Sequence, residues 1–326
     1  MSGPPTVSIV LPVWNGERFL AEAMDSVLRQ TFCGFELIVV DDGSADRSAA
    51  IADEFARCDA RVLVLRRAHD GIANALNAGV AAARGTYVAR MDADDVASAM
   101  RLEKQVAFLD AHPNCVAVGS DVEVIDEEGE AIGIIRFPAV HREIVDAMFD
   151  GSTRSVAHPT VVMRKSAVLA AGGYRAEASP SEDLDLWVRL IELGELANVA
   201  EPLLRYRRHT GAIGIRDGLR QRLSGAAIVD AVRLRHGLRR LKVSFASNHS
   251  DAFASYHFEC VRIALNSGNR AAARKHARAT IRRSPQWSRP YAALAISALP
   301  EAAFAMVMRW YDRYRARRRP STSAIT

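Results

Sequence analysis

The chain has 326 residues, of which 49% are hydrophobic and 25% are charged, and its formal net charge is +5. This is ordinary globular composition, so most of the chain is expected to be neither disordered nor fibrous. The four cysteines form no C-x-x-C pair, which favours a reducing compartment and no disulfides. The first residues have no signal-peptide pattern, and no run of about 18 residues is apolar. A cytoplasmic protein without membrane spans is therefore expected.

Short apolar runs alternate with helical patterns over residues 7 to 119. The runs predict strands, and the segments between them predict helices of about three turns; the strands are expected at 7–11, 36–40, 61–65 and 86–90, and the helices at 19–28, 45–57 and 71–83. This alternation predicts βαβ units with a parallel sheet. Ligands bind beyond the carboxyl ends of the strands in such sheets. Pro12, Asp41, Asp42 and Asp92 all lie at predicted strand ends and are expected to share one site.

The middle of the chain loses this alternation. Its patterns predict a β-hairpin at 116–125 and 131–137, followed by a further strand at 157–163. A helix is expected at 181–193 and a last extended segment at 196–206. From about residue 216 the chain becomes basic, with eight basic and two acidic residues over 216–242. Two helical patterns then predict a tetratricopeptide-type hairpin at 252–267 and 270–283. The apolar stretch 291–311 predicts a second helical hairpin, which is expected to be buried. Residues 320–326 are expected to be a disordered tail.

The acidic cluster Asp92-Ala93-Asp94-Asp95 follows a strand that is expected to be buried. Three carboxylates in four residues repel one another, and a hard divalent cation such as Mg²⁺ or Mn²⁺ would relieve that repulsion. Asp92 and Asp94 lie on the same side of an extended segment. The alternative is helix capping, with Asp95 or Ser98 at the start of a helix at Ala99.

Three further segments each allow two interpretations. Asp41 could accept from a base N–H, with Asp42 to Ser44 forming a turn, or the whole segment could be an Asx turn. Acidic residues at 182, 183 and 185 could be functional or could simply favour a helix N-terminus, which Ser181 or Glu182 would cap. In 206–209, His209 could ligate a metal and the arginines a diphosphate, or the segment could be a solvated loop.

These segments, in this order, resemble the family 2 inverting glycosyltransferases of the GT-A fold. The resemblance covers roughly residues 6 to 210, and the matching segments are 11–16, 26–31, 40–44, 76–79, 83–85, 90–95, 158–160, 172–174, 182–187 and 206–209. It implies an α/β fold with a mainly parallel, Rossmann-like sheet flanked by helices. The implied organisation is a glycosyltransferase domain over 1–215, a C-terminal helical region over 216–320 and a tail over 321–326. Trp14 stands where many relatives have Tyr.

The resemblance also implies a role for each matching residue. Asp92 would meet the ribose, Asp94 would ligate Mn²⁺ or Mg²⁺ on the diphosphate, Asp183 would be the general base, and His209 would be a further metal ligand. The residues expected around the nucleotide-sugar are Pro12, Val13, Asn15, Glu17, Asp41, Arg90, Met91, Asp92 and Ala93. Those expected on the acceptor side are His158, Glu182 and Trp187.

The implied activity is transfer of a sugar, with inversion, from a UDP-sugar to a hydroxyl of a glycan or lipid-linked acceptor in cell-surface polysaccharide synthesis. A non-catalytic sugar-nucleotide or glycan-binding subunit is the alternative, and a nucleotidyltransferase is a weaker rival because the usual glycine-rich phosphate loop is missing. The basic, aromatic segment 309–319 could contact an anionic membrane or be a solvated helix face. Nucleic acid is not expected, since no binding motif is recognised.

Overall fold

The computed structural model describes residues 3–151, 155–212, 218–240 and 252–317. Its first elements alternate as predicted: β1 (Val7–Val13), α1 (Leu20–Leu28), β2 (Phe35–Asp41), α2 (Ser48–Cys58), β3 (Val62–Arg66), α3 (Ile72–Ala82) and β4 (Tyr87–Arg90). β1 and β2 are buried along their whole length, as expected for strands covered by helices on both faces. The predicted strands and helices of this half are therefore confirmed, with small shifts at their ends.

The four strands form a parallel sheet. β1 pairs with both β2 and β4, and β2 pairs with β3. In this register Val13 lies opposite Asp41, and Val10 lies opposite Arg90. The carboxyl ends of β1, β2 and β4 therefore meet at one edge of the sheet, which is where ligands bind in such folds.

The remaining strands extend the sheet with antiparallel pairs. The elements are β5 (Val96–Ala97), α4 (Arg101–Ala111), β6 (Cys115–Ile125), β7 (Ala131–Ile135), α5 (His141–Phe149), β8 (Val162–Arg164), α6 (Lys165–Ala170), α7 (Glu182–Leu190) and β9 (Glu195–Arg207). The strand order is β3-β2-β1-β4-β8-β6-β9-β5, and β7 pairs with β6. β8 pairs antiparallel with β4 and β6, and β5 with β9. The fold class is thus the expected α/β architecture, and the predicted hairpin is confirmed.

The strand predicted over 157–163 is wrong in its first half. His158–Thr160 forms a 3-10 turn, and only Val162–Arg164 is extended. Pro159 lacks the N–H that a strand ladder needs, and the Thr160 hydroxyl donates to the carbonyl of Ala157 at 2.7 Å. Local hydrogen bonding therefore replaces strand pairing at this point.

The C-terminal part is helical: α8 (Gly218–Arg235), α9 (Ala252–Asn266), α10 (Arg270–Arg283), α11 (Ser288–Ala298) and α12 (Glu301–Arg317). Gly268 turns the chain between α9 and α10 with a φ of +72°, and Asn269 caps α10 by accepting from the N–H of Ala272 at 3.0 Å. The helices of both predicted hairpins are confirmed. The expectation that the second hairpin is buried is wrong, because Tyr291, Met306 and Trp310 are 46%, 60% and 60% exposed. Of the described helices, none combines the length and the apolar character needed to cross a bilayer.

The described chain divides into two compact units. The first takes the residues up to Val122, Arg136–Arg207 and the α8 region, and the second takes 123–135, 208–212 and 252–317. In the first unit, α8 packs beside α7, where Ser181 donates from its hydroxyl to the carbonyl of Gln221 at 3.0 Å. The predicted domain boundary at 215/216 and the predicted tail over 321–326 lie outside the described residues, and that division stays a prediction.

Candidate active site

The loop after β1 is fastened to the start of α2. Asn15, with a φ of +52°, donates from its N–H to the Ser44 hydroxyl at 3.0 Å and accepts from the N–H of Ala45 at 2.8 Å. Glu17 accepts from the N–H of Arg47 at 2.9 Å. The side chains of Asn15 and Glu17, both expected near the nucleotide-sugar, therefore shape the loop beside Pro12 and Val13.

Asp41, the last residue of β2, and Asp42, which follows it, accept different hydrogen bonds. Asp41 is 4% exposed and accepts from the N–H of Ser44 at 3.0 Å. Asp42 accepts from the N–H groups of Asp70 and Gly71, each at 3.0 Å, and so holds the start of α3. The expected turn exists, but it is Asp41 that makes it, whereas Asp42 is engaged elsewhere.

An aromatic stack lies next to this strand edge. The rings of Trp14 and His69 are stacked with centroids 4.5 Å apart and 19° between their planes. His69 Nδ1 lies 3.0 Å from Asp42 Oδ2. Trp14 is 47% exposed, so it offers a flat apolar surface to the solvent at the edge where the parallel strands end.

Asp92, Asp94 and Asp95 bring one oxygen each within 4.8 Å of one another. Asp95 is fully buried; its Oδ1 accepts from the N–H of Arg207 at 2.8 Å, and its Oδ2 has no hydrogen-bond partner. Burial, and then the charges of Asp94 and Asp92, raise the pKa of Asp95 well above its usual value. The helix-capping alternative is wrong, because α4 begins at Arg101 and no side chain caps it.

This cluster fits a divalent cation. Its ligand atoms are hard carboxylate oxygens, which Mg²⁺ and Mn²⁺ prefer, and a buried oxygen without a partner is costly unless a cation or donor reaches it. Burial is also the first cause that raises the pKa of Asp92, although the nearby Arg90 opposes it. Sequence reasoning assigned the metal to Asp94 and His209; the cluster brings Asp95 to Asp94 as well.

Arg90 lies at the centre of the charges around this site. It is 4% exposed, forms an ion pair with Asp92, and has no hydrogen-bond partner for its Nε. Burial opposes its charge, but Asp92 raises its pKa overall. Beside it, Arg101 donates to the carbonyl of Arg90 at 2.7 Å and to the sulfur of Met91 at 3.3 Å, and burial lowers the pKa of Arg101 to about 9.

The start of α7 carries the predicted general base. Burial raises the pKa of Asp183, against the lowering effect of the N–H of Leu184, which donates to its carboxylate at 2.8 Å, and of the Arg90 charge. The charge of Asp183 in turn contributes to the raised pKa of Asp92. Asp183 therefore lies near enough to Asp92 for its charge to disfavour the ionised form of that carboxylate. The expectation that Ser181 caps the helix is wrong, since its side chain makes no cap bond.

Glu182 and Trp187 are buried and incompletely paired. Glu182 is 6% exposed, its Oε2 has no hydrogen-bond partner, and burial followed by the Asp183 charge raises its pKa. Trp187 is 1% exposed, and its indole N–H also has no partner. Since buried polar atoms are normally hydrogen-bonded, each of these two atoms, like Arg90 Nε and Asp95 Oδ2, can still form a hydrogen bond with a ligand or water.

His158 is buried rather than at the surface, with 7% of the residue exposed. Its Nε2 is 2.9 Å from the Tyr174 hydroxyl, and its ring meets Trp187 edge-on at 5.6 Å. Burial and then the Arg90 charge hold the pKa of His158 well below its usual value, so the ring is neutral at pH 7. Tyr174 was not singled out from the sequence, although the matching segment 172–174 contains it.

The segment 206–209 divides between the two units. Arg207, in the first unit, is 3% exposed and donates from Nε to the carbonyl of Asp94 at 2.9 Å, so the solvated-loop alternative is wrong for it. His209 belongs to the second unit. Its role as a metal ligand stays a prediction.

Comparison with known proteins decides the family. The model of "Glycosyl transferase family 2" matches residues 8–170, which include the loops after β1, β2 and β4. The chain belongs to this family and is a glycosyltransferase. It is 33% identical over 248 residues to the putative glycosyltransferase EpsE of Bacillus subtilis, covering 74% of this chain and 85% of EpsE. It is 32% identical over 215 residues to the amylovoran biosynthesis glycosyltransferase AmsE of Erwinia amylovora, covering 65% and 79%.

Solved structures share the fold of this family 2 glycosyltransferase. The mannosyltransferase PcManGT of Pyrobaculum calidifontis, solved with GDP-Man and Mn²⁺, aligns with a TM-score of 0.53 at 18% identity, over 97% of this chain and 85% of PcManGT. Residues 1–349 of TarS from S. aureus, solved with UDP, align with a TM-score of 0.53 at 16% identity, over 95% and 92%. At these identities the likeness concerns the fold alone.

Proposed function

We propose that this glycosyltransferase transfers a sugar, with inversion, from a nucleotide-sugar to a hydroxyl group in a metal-dependent reaction. The observation that carries the proposal is the carboxylate cluster, in which Asp92, Asp94 and Asp95 each bring one oxygen within 4.8 Å of the others. The charge of the nearby Asp183 helps to raise the pKa of Asp92. The cluster suits a cation, which in turn would bind the diphosphate of the donor. Asp183 is a separate carboxylate near the cluster and would take the proton of the acceptor.

The mechanism follows from these positions. Mn²⁺ or Mg²⁺ bound at Asp94, with the neighbouring carboxylates, would supply charge stabilisation for the departing nucleoside diphosphate. Asp183 would take the proton of the acceptor hydroxyl as its oxygen attacks the anomeric carbon from the opposite face. Burial raises the pKa of Asp183, which makes it a stronger base than an exposed carboxylate. His209 is proposed as a further metal ligand on the strength of its match to the family's late histidine.

The donor side is proposed at the edge formed by β1, β2 and β4. Pro12, Val13 and Asp41 would hold the base there, with Asn15 and Glu17 shaping the loop, while Arg90, Met91, Asp92 and Ala93 would follow the ribose and sugar. UDP-sugars are the first choice. PcManGT was solved with GDP-Man and TarS with UDP-GlcNAc, so both nucleotide classes need testing.

The acceptor is proposed to be a glycan or lipid-linked glycan, on the side of His158, Glu182 and Trp187. Relatives named for amylovoran and O-antigen biosynthesis support a role in surface polysaccharide synthesis. The second of these, WbnJ of Escherichia coli, is 32% identical over 209 residues, or 62% of this chain and 80% of WbnJ. A cytoplasmic enzyme with peripheral membrane contact would suit such an acceptor.

Helix α12 supports the membrane contact. Met306 and Trp310 lie four residues apart on one helical face and are each 60% exposed, with Arg309 and Arg313 exposed beside them. An exposed apolar face flanked by arginines suits an anionic lipid surface. The Met306→Ser/Trp310→Ser double variant should lose binding to phosphatidylglycerol vesicles in sedimentation, whereas Leu63→Ser, at an exposed leucine of β3, should keep it. Equal binding to neutral phosphatidylcholine vesicles would contradict this proposal.

The decisive experiment for the activity is a panel of UDP- and GDP-sugars, assayed for hydrolysis with added Mn²⁺ and with EDTA. Metal-dependent release of one nucleotide, abolished by Asp94→Ala, is the expected result. Binding of UDP without hydrolysis or transfer would favour the alternative, a non-catalytic sugar-nucleotide or glycan-binding subunit. The product anomer, determined by NMR, tests inversion.

A further inference from the structure

Arg207, the last residue of β9, holds the loop that carries the carboxylate cluster. Its N–H donates to Asp95 Oδ1 at 2.8 Å, and its Nε donates to the main-chain carbonyl of Asp94 at 2.9 Å. Its Nη2 donates to Glu22 on α1 at 2.6 Å. One residue therefore connects the backbone of Asp94, the carboxylate of Asp95 and a neighbouring helix.

The surroundings of Arg207 keep this arrangement rigid. The side chain is 2% exposed, and the guanidinium carbon lies 4.6 Å from the centre of the Phe19 ring. β5, directly after the cluster, pairs with β9 through Val96 and Arg205. The planar guanidinium has fixed donor directions, so its Nε and Nη2 bonds together set the position of the Asp94 peptide relative to α1.

We propose that Arg207 is a positioning residue for the metal site, which fixes Asp94 and Asp95 so that their carboxylates meet a divalent cation without rearrangement. This inference rests on the proposed function in one respect, namely that the cluster binds a cation. In a loose loop the three carboxylates would move apart because they repel one another. Bringing them together on binding would cost free energy, so the affinity for the cation would be lower. Residues that orient metal ligands typically contribute 10–100-fold to affinity.

The test is Mn²⁺ binding by the full chain, measured without donor or acceptor by the EPR signal of free Mn²⁺. Arg207→Lys keeps the charge but loses the Nε donor, and we expect it to weaken Mn²⁺ binding about 10-fold or more. Glu22→Gln keeps the Nε bond to Asp94 and should cause a smaller loss. Transfer at saturating Mn²⁺ should fall much less than transfer at limiting Mn²⁺.

Arg164→Lys is the matched control. Arg164 also donates from Nε to a carbonyl, that of Cys115 at 2.9 Å, and lies over an aromatic ring, that of Tyr87, with its guanidinium carbon 5.6 Å from the ring centre. It should lower the thermal midpoint as Arg207→Lys does, but leave the Mn²⁺ affinity unchanged. Circular dichroism establishes that each variant is folded before binding is compared.

Three results overturn the inference: unchanged Mn²⁺ affinity in folded Arg207→Lys, an equal loss in the Arg164→Lys control, or a wild-type chain that binds no Mn²⁺. Failure of the proposed function looks different, since wild type would then bind Mn²⁺ but transfer and hydrolyse no sugar. In that case the loss of affinity in Arg207→Lys would still support the positioning role.

Discussion

Asn77 and Tyr174, 97 positions apart, exchange two hydrogen bonds: the Asn77 amide donates to the Tyr174 carbonyl at 2.7 Å and accepts from the Tyr174 N–H at 2.8 Å. The pair joins α3 to the segment that places the Tyr174 hydroxyl against His158. A side chain of α3 thus fixes the segment whose tyrosine hydroxyl lies 2.9 Å from His158 Nε2.

Asn77→Ala should lower the free energy of unfolding by about 2 kcal/mol, since two hydrogen bonds of about 1 kcal/mol each are lost. Asn77→Asp should be intermediate, because its carboxylate still accepts from the Tyr174 N–H but cannot donate to the carbonyl. Urea unfolding followed by circular dichroism measures both. Asn74, also on α3, donates from its amide to the nearby carbonyl of Asp70 at 3.0 Å, so Asn74→Ala is the control. An equal loss of stability in Asn74→Ala would contradict the role given to the Asn77 pair.

Asp95→Asn should stabilise the metal-free protein and weaken its response to Mn²⁺. Because the pKa of Asp95 is raised in the folded protein, the folded protein binds the proton more tightly than the unfolded chain does. The stability that is present below the unfolded pKa is therefore lost as the pH rises through the folded pKa. The neutral amide removes that loss at pH 7 and can still accept from the Arg207 N–H. Thermal melts in EDTA and in Mn²⁺ measure the two effects; a lower midpoint in EDTA would contradict the reasoning.

Asp183→Asn should reduce kcat by about 10²–10⁴-fold, because it removes the proposed base, while UDP binding stays nearly unchanged. The raised pKa of Asp183 also predicts that the wild-type rate falls as the pH is lowered through that pKa, where the carboxylate becomes protonated. Rate profiles against pH and calorimetric titration with UDP and Mn²⁺ test the two parts. Wild-type turnover in Asp183→Asn would exclude it as the base.

The parts of this site that could be predicted from the sequence are those with a local cause. The repulsion of three carboxylates in four residues marks 92–95, and the strand periodicity places Asp41 and Asp92 at one edge. Arg207 could not be assigned in this way, because its contact with Asp95 spans 112 positions and depends on the pairing of β5 with β9. Likewise, only the tertiary fold shows that Asp42 is engaged by Asp70 and Gly71.

The second unit should lose stability in mild acid through His257 and His276. Their Nδ1 atoms are 2.8 Å apart, and burial is the first cause that lowers the pKa of each ring to about 4. The neighbouring His276 lowers the pKa of His257 further, and Lys275 lowers the pKa of both rings. Acidic neighbours oppose the shift, namely Glu127 and Glu128 for His257 and Asp126 and Glu130 for His276. The unfolded chain binds the protons at higher pH than the folded one. Stability is therefore full above the unfolded pKa and falls as pH drops toward 4.

Between pH 7 and 5 the expected loss is about 2 kcal/mol per histidine, from the difference between folded and unfolded pKa. Hydrogen exchange of the full chain, followed by mass spectrometry, should show faster exchange in α9 and α10 at pH 5 after correction for the intrinsic rate, while β1 and β2 stay protected. His257→Gln should reduce this pH dependence, because one of the two titrating rings is removed. His112→Gln, at an exposed histidine of the first unit, is the control and should leave it intact. Exchange in α9 and α10 that does not change with pH would show that the two rings are not held neutral by burial.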